Sequence, residues 1–255
     1  MQPRERIARA LTRRAGEPPA LVAYVTAGFP EPRGFLQLLR SIGSVADAIE
    51  VGVPFSDPMA DGVTIQRSSE RAIEQGVTLH WILDELARRD FDLKPPLLLM
   101  SYLNPLLAFG FEALAARAAE VGVAGFIVPD LPHEESEPLH AALRAHALAL
   151  VQMVTPATPP ARLRMLGAAT EGFLYAVTRT GITGEGAGLP AELASYLAAV
   201  KAATELPVCA GFGVRRAEQV ALIGRHADGV IVGSALVEAL ERGADPKKFL
   251  ESLRP

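Results

Sequence analysis

Glu50 is the residue in this sequence whose surroundings most favour acid–base chemistry. It lies in the apolar run 46–51, and in a strand the side chains of Ile49 and Val51 would point away from its own. Because Ile49 and Val51 suit an outer face covered by helices, we expect Glu50 to point inward, near the carboxyl end of its strand. Loss of hydration among apolar neighbours would raise its pKa towards neutrality. Such a group can both donate and accept a proton. The alternative is a structural ion pair with a buried Arg or Lys.

Two further acids follow this strand in a loop that reads Pro-Phe-Ser-Asp-Pro-Met-Ala-Asp-Gly at 54–62. Asp57 and Asp61 are both expected near the carboxyl end of the strands. The stretch 52–79 is much longer than an ordinary connection between a strand and a helix, and long insertions at this end often carry the chemistry of a barrel. The alternative for each Asp is a role in turn formation or helix capping.

Glycine-rich turns follow the last three apolar runs. Gly-Phe-Gly occurs at 211–213, and Gly233 is followed by Ser234. Backbone N–H groups in such turns, together with a helix N-terminus, commonly bind phosphate after the seventh and eighth strands of a barrel. The segment 179–189, with several glycines, is predicted to be a mobile lid. Tight turns and an ordinary flexible loop are the respective alternatives.

Eight short apolar runs alternate with amphipathic stretches, and together these must position the residues above. The runs are 20–26, 46–51, 96–102, 124–128, 148–154, 172–177, 207–210 and 228–232, and the helical patterns between them are 35–42, 81–89, 110–121, 138–146, 160–166, 190–202 and 217–223. Eight such units predict an α/β fold, a single-domain (β/α)8 or TIM barrel. An open doubly wound sheet usually has fewer strands. An extra amphipathic helix at 4–14 is expected to plug the bottom of the barrel.

Length and composition agree with this architecture. The chain has 255 residues, of which 49% are hydrophobic, and a net charge of −4. One large core can therefore form, and the strongly basic surface that nucleic-acid binding uses is not expected. The lone Cys209 excludes an internal disulfide, and the five scattered histidines show no spacing typical of metal ligands. No signal peptide or membrane-spanning run is recognisable. We therefore expect a cytoplasmic protein without a metal.

Longer motifs connect the candidate residues. Ile-Glu-Val-Gly-Val-Pro-Phe-Ser-Asp-Pro at 49–58, followed by Ala-Asp-Gly at 60–62, resembles the signature of the tryptophan synthase alpha chain family. The resemblance continues in the same order through 25–30, 99–105, 128–132, 134–136, 150–157, 179–184, 211–214 and 228–234. It implies a retro-aldol cleavage of indole-3-glycerol phosphate to indole and glyceraldehyde 3-phosphate, without a cofactor in this chain.

The resemblance also implies a role for each site residue. Glu50 would protonate the ring carbon that bears the side chain and help to deprotonate the side-chain hydroxyl, while Asp61 would bind the indole N–H and stabilise positive charge. Thr183 would contact Asp61 when the lid closes, and Tyr175 would lie near the glycerol portion. The resemblance assigns the indole pocket to Tyr24, Met100, Tyr102, Ile127 and Tyr175, and the phosphate site to Gly184, Phe212, Gly213, Gly233 and Ser234.

A partner is implied as well. The family's alpha chain binds a beta chain that carries pyridoxal phosphate, usually as an α2β2 heterotetramer, and indole passes between them through a tunnel. Asp57, Asp130 and Pro132 correspond to positions at that contact. The sequence departs from the family pattern at Val63, where many members have Pro, and this should make the catalytic loop less stiff. The lid is also richer in glycine than is usual.

Other functions remain open at this stage. A related phosphate-binding barrel, such as an isomerase or indole-glycerol phosphate synthase, is one alternative, but the synthase needs a lysine inside the barrel. None of the lysines falls on an inward strand position; they are Lys94, Lys201, Lys247 and Lys248. A self-sufficient indole-producing lyase and a mainly regulatory phosphate-binding subunit are the others. The intact pair Glu50 and Asp61 argues against the regulatory subunit.

Overall fold

The computed structural model describes residues 1–14, 16–177, 191–211 and 213–255. Eight parallel strands form a closed barrel in sequential order, with β8 pairing back to β1. The strands are β1 Ala20–Thr26, β2 Ala48–Gly52, β3 Leu97–Met100, β4 Val123–Ile127, β5 Ala149–Val154, β6 Leu174–Val177, β7 Val208–Gly211 and β8 Gly229–Val232. The predicted TIM barrel is confirmed.

Helices surround the barrel and connect its strands. In the described residues they are α1 Pro3–Leu11, α2 Phe35–Gly43, α3 Val63–Glu74, α4 Leu79–Ala87, α5 Leu103–Phe109, α6 Phe111–Glu120, α7 Glu137–Ala145, α8 Pro160–Ala169, α9 Ala191–Lys201, α10 Ala217–Ile223, α11 Ser234–Glu241 and α12 Pro246–Glu251. Short 3-10 turns occupy Pro32–Gly34 and His133–Glu135.

Two sequence-based boundaries need correction. The stretch 52–79 is not a continuous loop, because α3 occupies Val63–Glu74. The apolar run 96–102 is also not all strand: β3 ends at Met100, and Tyr102 precedes the first turn of α5. Continuous hydrophobicity cannot separate the two elements here, since Ser101 and Tyr102, which follow the strand, are buried like the strand itself.

The alternation of side chains along β2 sets the position of the candidate acid. Ile49 and Val51 pack in the outer hydrophobic layer between strands and helices. Glu50 lies between them in sequence and is completely buried. Small and apolar side chains fill the barrel interior below it: Ala20, Val22, Ala48, Leu98, Ala124, Ala149, Val151, Phe173, Cys209 and Ile231. Glu50 is therefore a carboxyl group set above a dry core.

Helix α1 closes the amino-terminal end of this interior. Ile7 and Leu11 are fully buried and belong to the same apolar cluster as the inward-facing strand residues. Each such side chain contributes about 1.5–3 kcal/mol by leaving water. Arg4 fixes the helix from outside, since its N–H donates to the carbonyl of Ala147 at 3.2 Å and its guanidinium pairs with Glu171 at 3.1 Å. The predicted plug is confirmed.

Candidate active site

Glu50 is buried without a partner. Neither carboxylate oxygen has a hydrogen-bond partner among the residues that the structure describes. Burial raises the pKa of Glu50 from 4.5 to about 8, as expected when the charged form loses water and gains no cation. Among the described residues the alternative of a structural ion pair fails, because the lysines are all exposed and no described arginine donates a hydrogen bond to the carboxyl group. Glu50 is thus predominantly a neutral acid at pH 7.

Tyr24 and Tyr175 flank Glu50, and each packs against a glycine that leaves room for its ring. Burial raises the pKa of both Tyr24 and Tyr175, and the charge of Glu50 raises each further. A Cβ atom at Gly52 would lie 2.1 Å from the Tyr24 hydroxyl oxygen, and one at Gly211 would lie 3.0 Å from that of Tyr175. Sequence reasoning did not single out Gly52 or Gly211 for this role. Glycine at a strand end was the available signal, since it marks a close approach by another group.

Asp61 lies at the mouth of the barrel and is bound by Tyr102. Burial raises the pKa of Asp61, and a hydrogen bond from the Tyr102 side chain partly offsets this rise. The Tyr102 hydroxyl also accepts the N–H of Ala60 at 2.9 Å, and its ring stacks on Phe55 with centroids 5.1 Å apart. Burial raises the pKa of Tyr102 to about 12, so it remains a donor. Tyr102 therefore fixes the loop that carries Asp61, a role that its predicted place in the indole pocket did not include.

The other predicted pocket residues lie on β1, β3 and β4, towards the carboxyl ends of these strands. Tyr24 pairs in register with Glu50. Gly52 pairs with Met100, which in turn pairs with Ile127. Ile127 is fully buried, whereas Met100 is half-buried at the end of β3. The register thus sets Tyr24 beside Glu50, and sets Met100 and Ile127 level with Gly52, two residues further towards the carboxyl end of the strands.

The described part of the predicted phosphate site consists of two glycine turns. Gly213 has φ +61°, a left-handed conformation that favours glycine. Gly233 precedes α11, and Ser234 is the first residue of that helix. The first N–H groups of a helix lack partners within it and attract anions. A Cβ at Gly233 would lie 3.6 Å from Tyr24, so this turn adjoins the tyrosine beside Glu50.

Three predicted site residues, Thr183, Gly184 and Phe212, lie outside the described residues, as does the segment 179–189. Their proposed contacts with substrate and with Asp61 stay predictions.

The residues predicted at a partner contact have different local roles. Asp57 is exposed and accepts a hydrogen bond from the neighbouring Ser56 hydroxyl. Asp130 accepts the N–H of Leu103 at 2.9 Å and so caps α5. Pro132 is exposed and precedes the 3-10 turn. Asp57 and Pro132 are thus available for contact, and Asp130 joins the loops that follow β3 and β4.

Neither a metal-binding cluster nor a membrane-spanning helix occurs in the part of the chain that the structure describes. Within these ranges, no group of three or more His, Cys, Asp or Glu side chains is placed to bind a metal ion. None of the described helices has the length and apolar character needed to cross a bilayer.

The fold and the site define the class of protein. A closed (β/α)8 barrel with a buried, unpaired acid at the carboxyl ends of its strands, a second carboxylate above it and glycine turns after β7 and β8 is typical of a TIM-barrel enzyme that acts on a phosphorylated substrate. Comparison with known proteins gives the particular family. Residues 11–253 match the family model described as tryptophan synthase alpha chain.

Similar proteins support the same assignment along the whole chain. The alpha chain of Nitratidesulfovibrio vulgaris (strain DP4) is 45% identical over 92% of this chain and 91% of its own length. That of Chloroflexus aggregans is 45% identical over 90% of this chain and 86% of its own. The crystal structure of the alpha subunit from Legionella pneumophila str. Paris has a TM-score of 0.86 at 34% identity, covering 100% of this chain and 97% of that one.

The chain therefore belongs to the tryptophan synthase alpha chain family. It is an enzyme subunit of the lyase class, and its reaction is the cleavage of indole-3-glycerol phosphate. The family expected from the sequence motifs is confirmed.

Proposed function

We propose that Glu50 and Asp61 carry out the cleavage of indole-3-glycerol phosphate at the mouth of the barrel. The observation that supports this most strongly is the buried, unpartnered carboxyl group of Glu50, whose pKa is raised to about 8. An acid of this kind is protonated near pH 7, yet its conjugate base remains accessible. Its two roles in the reaction require both states in turn.

The proposed reaction begins with protonation. Neutral Glu50 donates its proton to the indole ring carbon that bears the glycerol side chain, and the positive charge that develops on the ring nitrogen is stabilised by the Asp61 carboxylate. The Glu50 carboxylate then accepts the proton of the side-chain hydroxyl next to the ring. The carbon–carbon bond breaks, its electrons return to the ring, and the hydroxyl carbon becomes the aldehyde of glyceraldehyde 3-phosphate. Glu50 ends protonated, so the cycle balances.

Binding is assigned to the surrounding groups. The phosphate would accept hydrogen bonds from backbone N–H groups at Gly213, Gly233 and Ser234, where α11 adds the positive end of its dipole. Tyr175 would adjoin the glycerol portion. The indole would lie among Tyr24, Met100, Tyr102 and Ile127. The proposed contributions of Thr183, Gly184 and Phe212 complete this set.

We also infer a partner subunit. This chain would bind a tryptophan synthase beta chain, as an α2β2 heterotetramer in the cytoplasm, and pass indole to it. The lyase step would use no cofactor in this chain, whereas the partner would bind pyridoxal phosphate. Exposed apolar side chains near the mouth support the surface proposed: Met59 is 84% exposed and Leu107 53%, close in sequence to Asp57 and to the α5 cap. Exposed methionine and leucine side chains are the kind that the core of an interface uses.

The test is indole release from indole-3-glycerol phosphate by the purified chain, with and without a matching beta chain. We expect slow release alone and much faster release with the partner. Equally fast release alone would favour a self-sufficient lyase, and would contradict the partner proposal. Binding of substrate without release in either condition would favour a regulatory subunit and contradict the assigned chemistry.

A further inference from the structure

Glu238, on the outer face of α11, joins three segments that reach the mouth of the barrel. Its carboxylate forms a two-pronged pair with Arg215: Nη1 donates to Oε2 at 2.6 Å and Nη2 donates to Oε1 at 2.9 Å. Oε1 also accepts the hydroxyl of Thr64 at 3.2 Å. The Glu238 side chain is only 21% exposed, and hydrogen bonding by Arg215 lowers its pKa. Three donor atoms therefore converge on one carboxylate.

The partners of Glu238 are close in sequence to the proposed site. Thr64 lies in the first turn of α3, three residues after Asp61. Arg215 follows Gly213 by two residues, and Glu238 itself lies one turn beyond Ser234 on α11. One carboxylate thus connects the loop that carries the charge-stabilising acid with both glycine turns assigned to phosphate.

A second ion pair joins the same two helices further from the mouth. Arg67 of α3 donates to both carboxylate oxygens of Glu241 of α11, at 2.9 and 2.6 Å. This pair resembles the first in chemistry and connects α3 to α11. Neither of its residues forms a hydrogen bond with Arg215 or Thr64 in the part of the chain that the structure describes, and Glu238 acts on Arg67 only through its charge. It therefore provides a matched control for the general effect of an ion pair between these helices.

We propose that Glu238 is a positioning residue for the lyase reaction, which sets the spacing between Asp61 and the phosphate turns through Thr64 and Arg215. The proposal rests on the proposed function, because it assumes that Asp61 and the glycine turns contact one substrate molecule. A displacement of about 1 Å between catalytic and binding groups can reduce the rate by as much as roughly 100-fold. The Arg215 side chain is 54% exposed, so water screens the pair and its contribution to folding is smaller than that of a buried pair. Its removal should consequently affect catalysis more than stability.

The test compares Glu238→Ala, Glu238→Gln and the control Glu241→Ala. For Glu238→Ala we expect kcat/KM for indole-3-glycerol phosphate to fall about tenfold to 100-fold, with a higher KM and weaker binding of inorganic phosphate. Glu238→Gln keeps an acceptor for Thr64 but not the charged pair, so its loss should be intermediate. Glu241→Ala should retain the kinetics of the unmodified chain, while its Tm should change by about as much as that of Glu238→Ala.

A double variant separates positioning from a general loss of charge. Arg215→Ala should reduce kcat/KM as Glu238→Ala does, and the two together should cost little more than either alone, since they remove one interaction. Unchanged kinetics in Glu238→Ala, or an equal loss in Glu241→Ala, would overturn the proposal. Glu50→Gln and Asp61→Asn, measured in the same assay, report on the proposed function separately. Should Asp61→Asn cleave substrate at the full rate, the proposed function would fail, whatever Glu238→Ala does.

Discussion

At the scale of single residues, the site depends on the absence of a partner for Glu50 rather than on a partner's presence. A carboxyl group that is buried with a cation stays charged and cannot donate a proton, whereas one buried among apolar groups stays neutral. The sequence around Glu50 supplies alanine, leucine, valine and tyrosine inside the barrel. Its reactivity therefore follows from what surrounds it on the other strands.

The raised pKa of Glu50 predicts a pH-dependent effect on stability. The carboxyl has a pKa of about 8 in the folded chain against 4.5 in the unfolded one, so between these values the folded state binds more protons. The free energy of unfolding should consequently decrease as pH rises, by about 1.4 kcal/mol per pH unit at most. Glu50→Gln removes this dependence. In urea unfolding at pH 5, 6.5 and 8, the stability of Glu50→Gln relative to the unmodified chain should rise with pH.

A pH-independent difference between the two chains would contradict the assigned burial of an ionisable Glu50. The comparison does not depend on substrate or partner, so it examines the environment of the carboxyl group alone.

The substitution Tyr102→Phe tests whether the Tyr102 hydroxyl holds the loop that carries Ala60 and Asp61. The variant keeps the ring that stacks on Phe55 but loses the hydrogen bonds to the Ala60 N–H and to Asp61. We expect kcat/KM to fall about tenfold, since Asp61 is less well fixed and two polar groups lose a partner. The pKa of Asp61 should also rise further. Steady-state kinetics on both chains measure the effect, and an unchanged kcat/KM would show that the loop is fixed by other contacts.

At the scale of elements, polar groups that stabilise the barrel lie at its amino-terminal end, whereas the candidate site lies at the carboxyl ends of the strands. Asp47 is the clearest case, at the amino-terminal end of the barrel. It accepts the N–H of Leu21 at 2.8 Å and pairs with Arg13 and Arg254, each at 2.9 Å. It thereby joins the segment after α1, the first strand and the end of the chain.

Asp47→Ala should therefore reduce the free energy of unfolding by roughly 1–3 kcal/mol, because it leaves the Leu21 N–H without its acceptor and removes the charged partner of Arg13 and Arg254, which keep only backbone carbonyls. Indole release at 25 °C should be unchanged, since Asp47 precedes β2 on the end opposite to the site. Glu120→Ala is the control: it removes an exposed pair with Arg117 and should change stability by about 0.5 kcal/mol or less. A loss of kcat with unchanged stability in Asp47→Ala would contradict this separation.

Sequence patterns predicted the elements better than the contacts between them. The eight strands and the inward direction of Glu50 followed from hydrophobic runs and the alternation of side chains, which depend on neighbouring residues only. The anchoring of Ala60 and Asp61 by Tyr102, and the space that Gly52 and Gly211 leave for tyrosines, could not be predicted in this way. These contacts join residues of different loops and strands. They could not be predicted because a loop, unlike a helix or a strand, has no periodic pattern of residues in the sequence.

At the scale of the whole molecule, the mouth of the barrel combines the site with an exposed apolar surface. Met59 lies in the catalytic loop, two residues before Asp61, and is 84% exposed. A partner that covered it would also restrict the motion of that loop, which is a direct way to raise the rate. Asp57 and Pro132 lie in loops at the same end of the strands.

Met59→Asp should therefore reduce the stimulation of indole release by the beta chain, because a charge in an interface core is costly to desolvate. Ile73→Asp is the matched control, since Ile73 is also exposed, at 39%, but lies at the far end of α3. Titration of each variant with the beta chain measures the effect. Equal stimulation of Met59→Asp and the unmodified chain would place the interface elsewhere.

The most direct test of the central claim is to compare indole release by the unmodified chain and by Glu50→Gln, with substrate binding measured on both. Glutamine has nearly the same size as the neutral acid but cannot transfer a proton in either direction. We expect Glu50→Gln to bind indole-3-glycerol phosphate with nearly unchanged affinity and to release no measurable indole. Release at the rate of the unmodified chain would contradict the assignment of Glu50 as the acid and base.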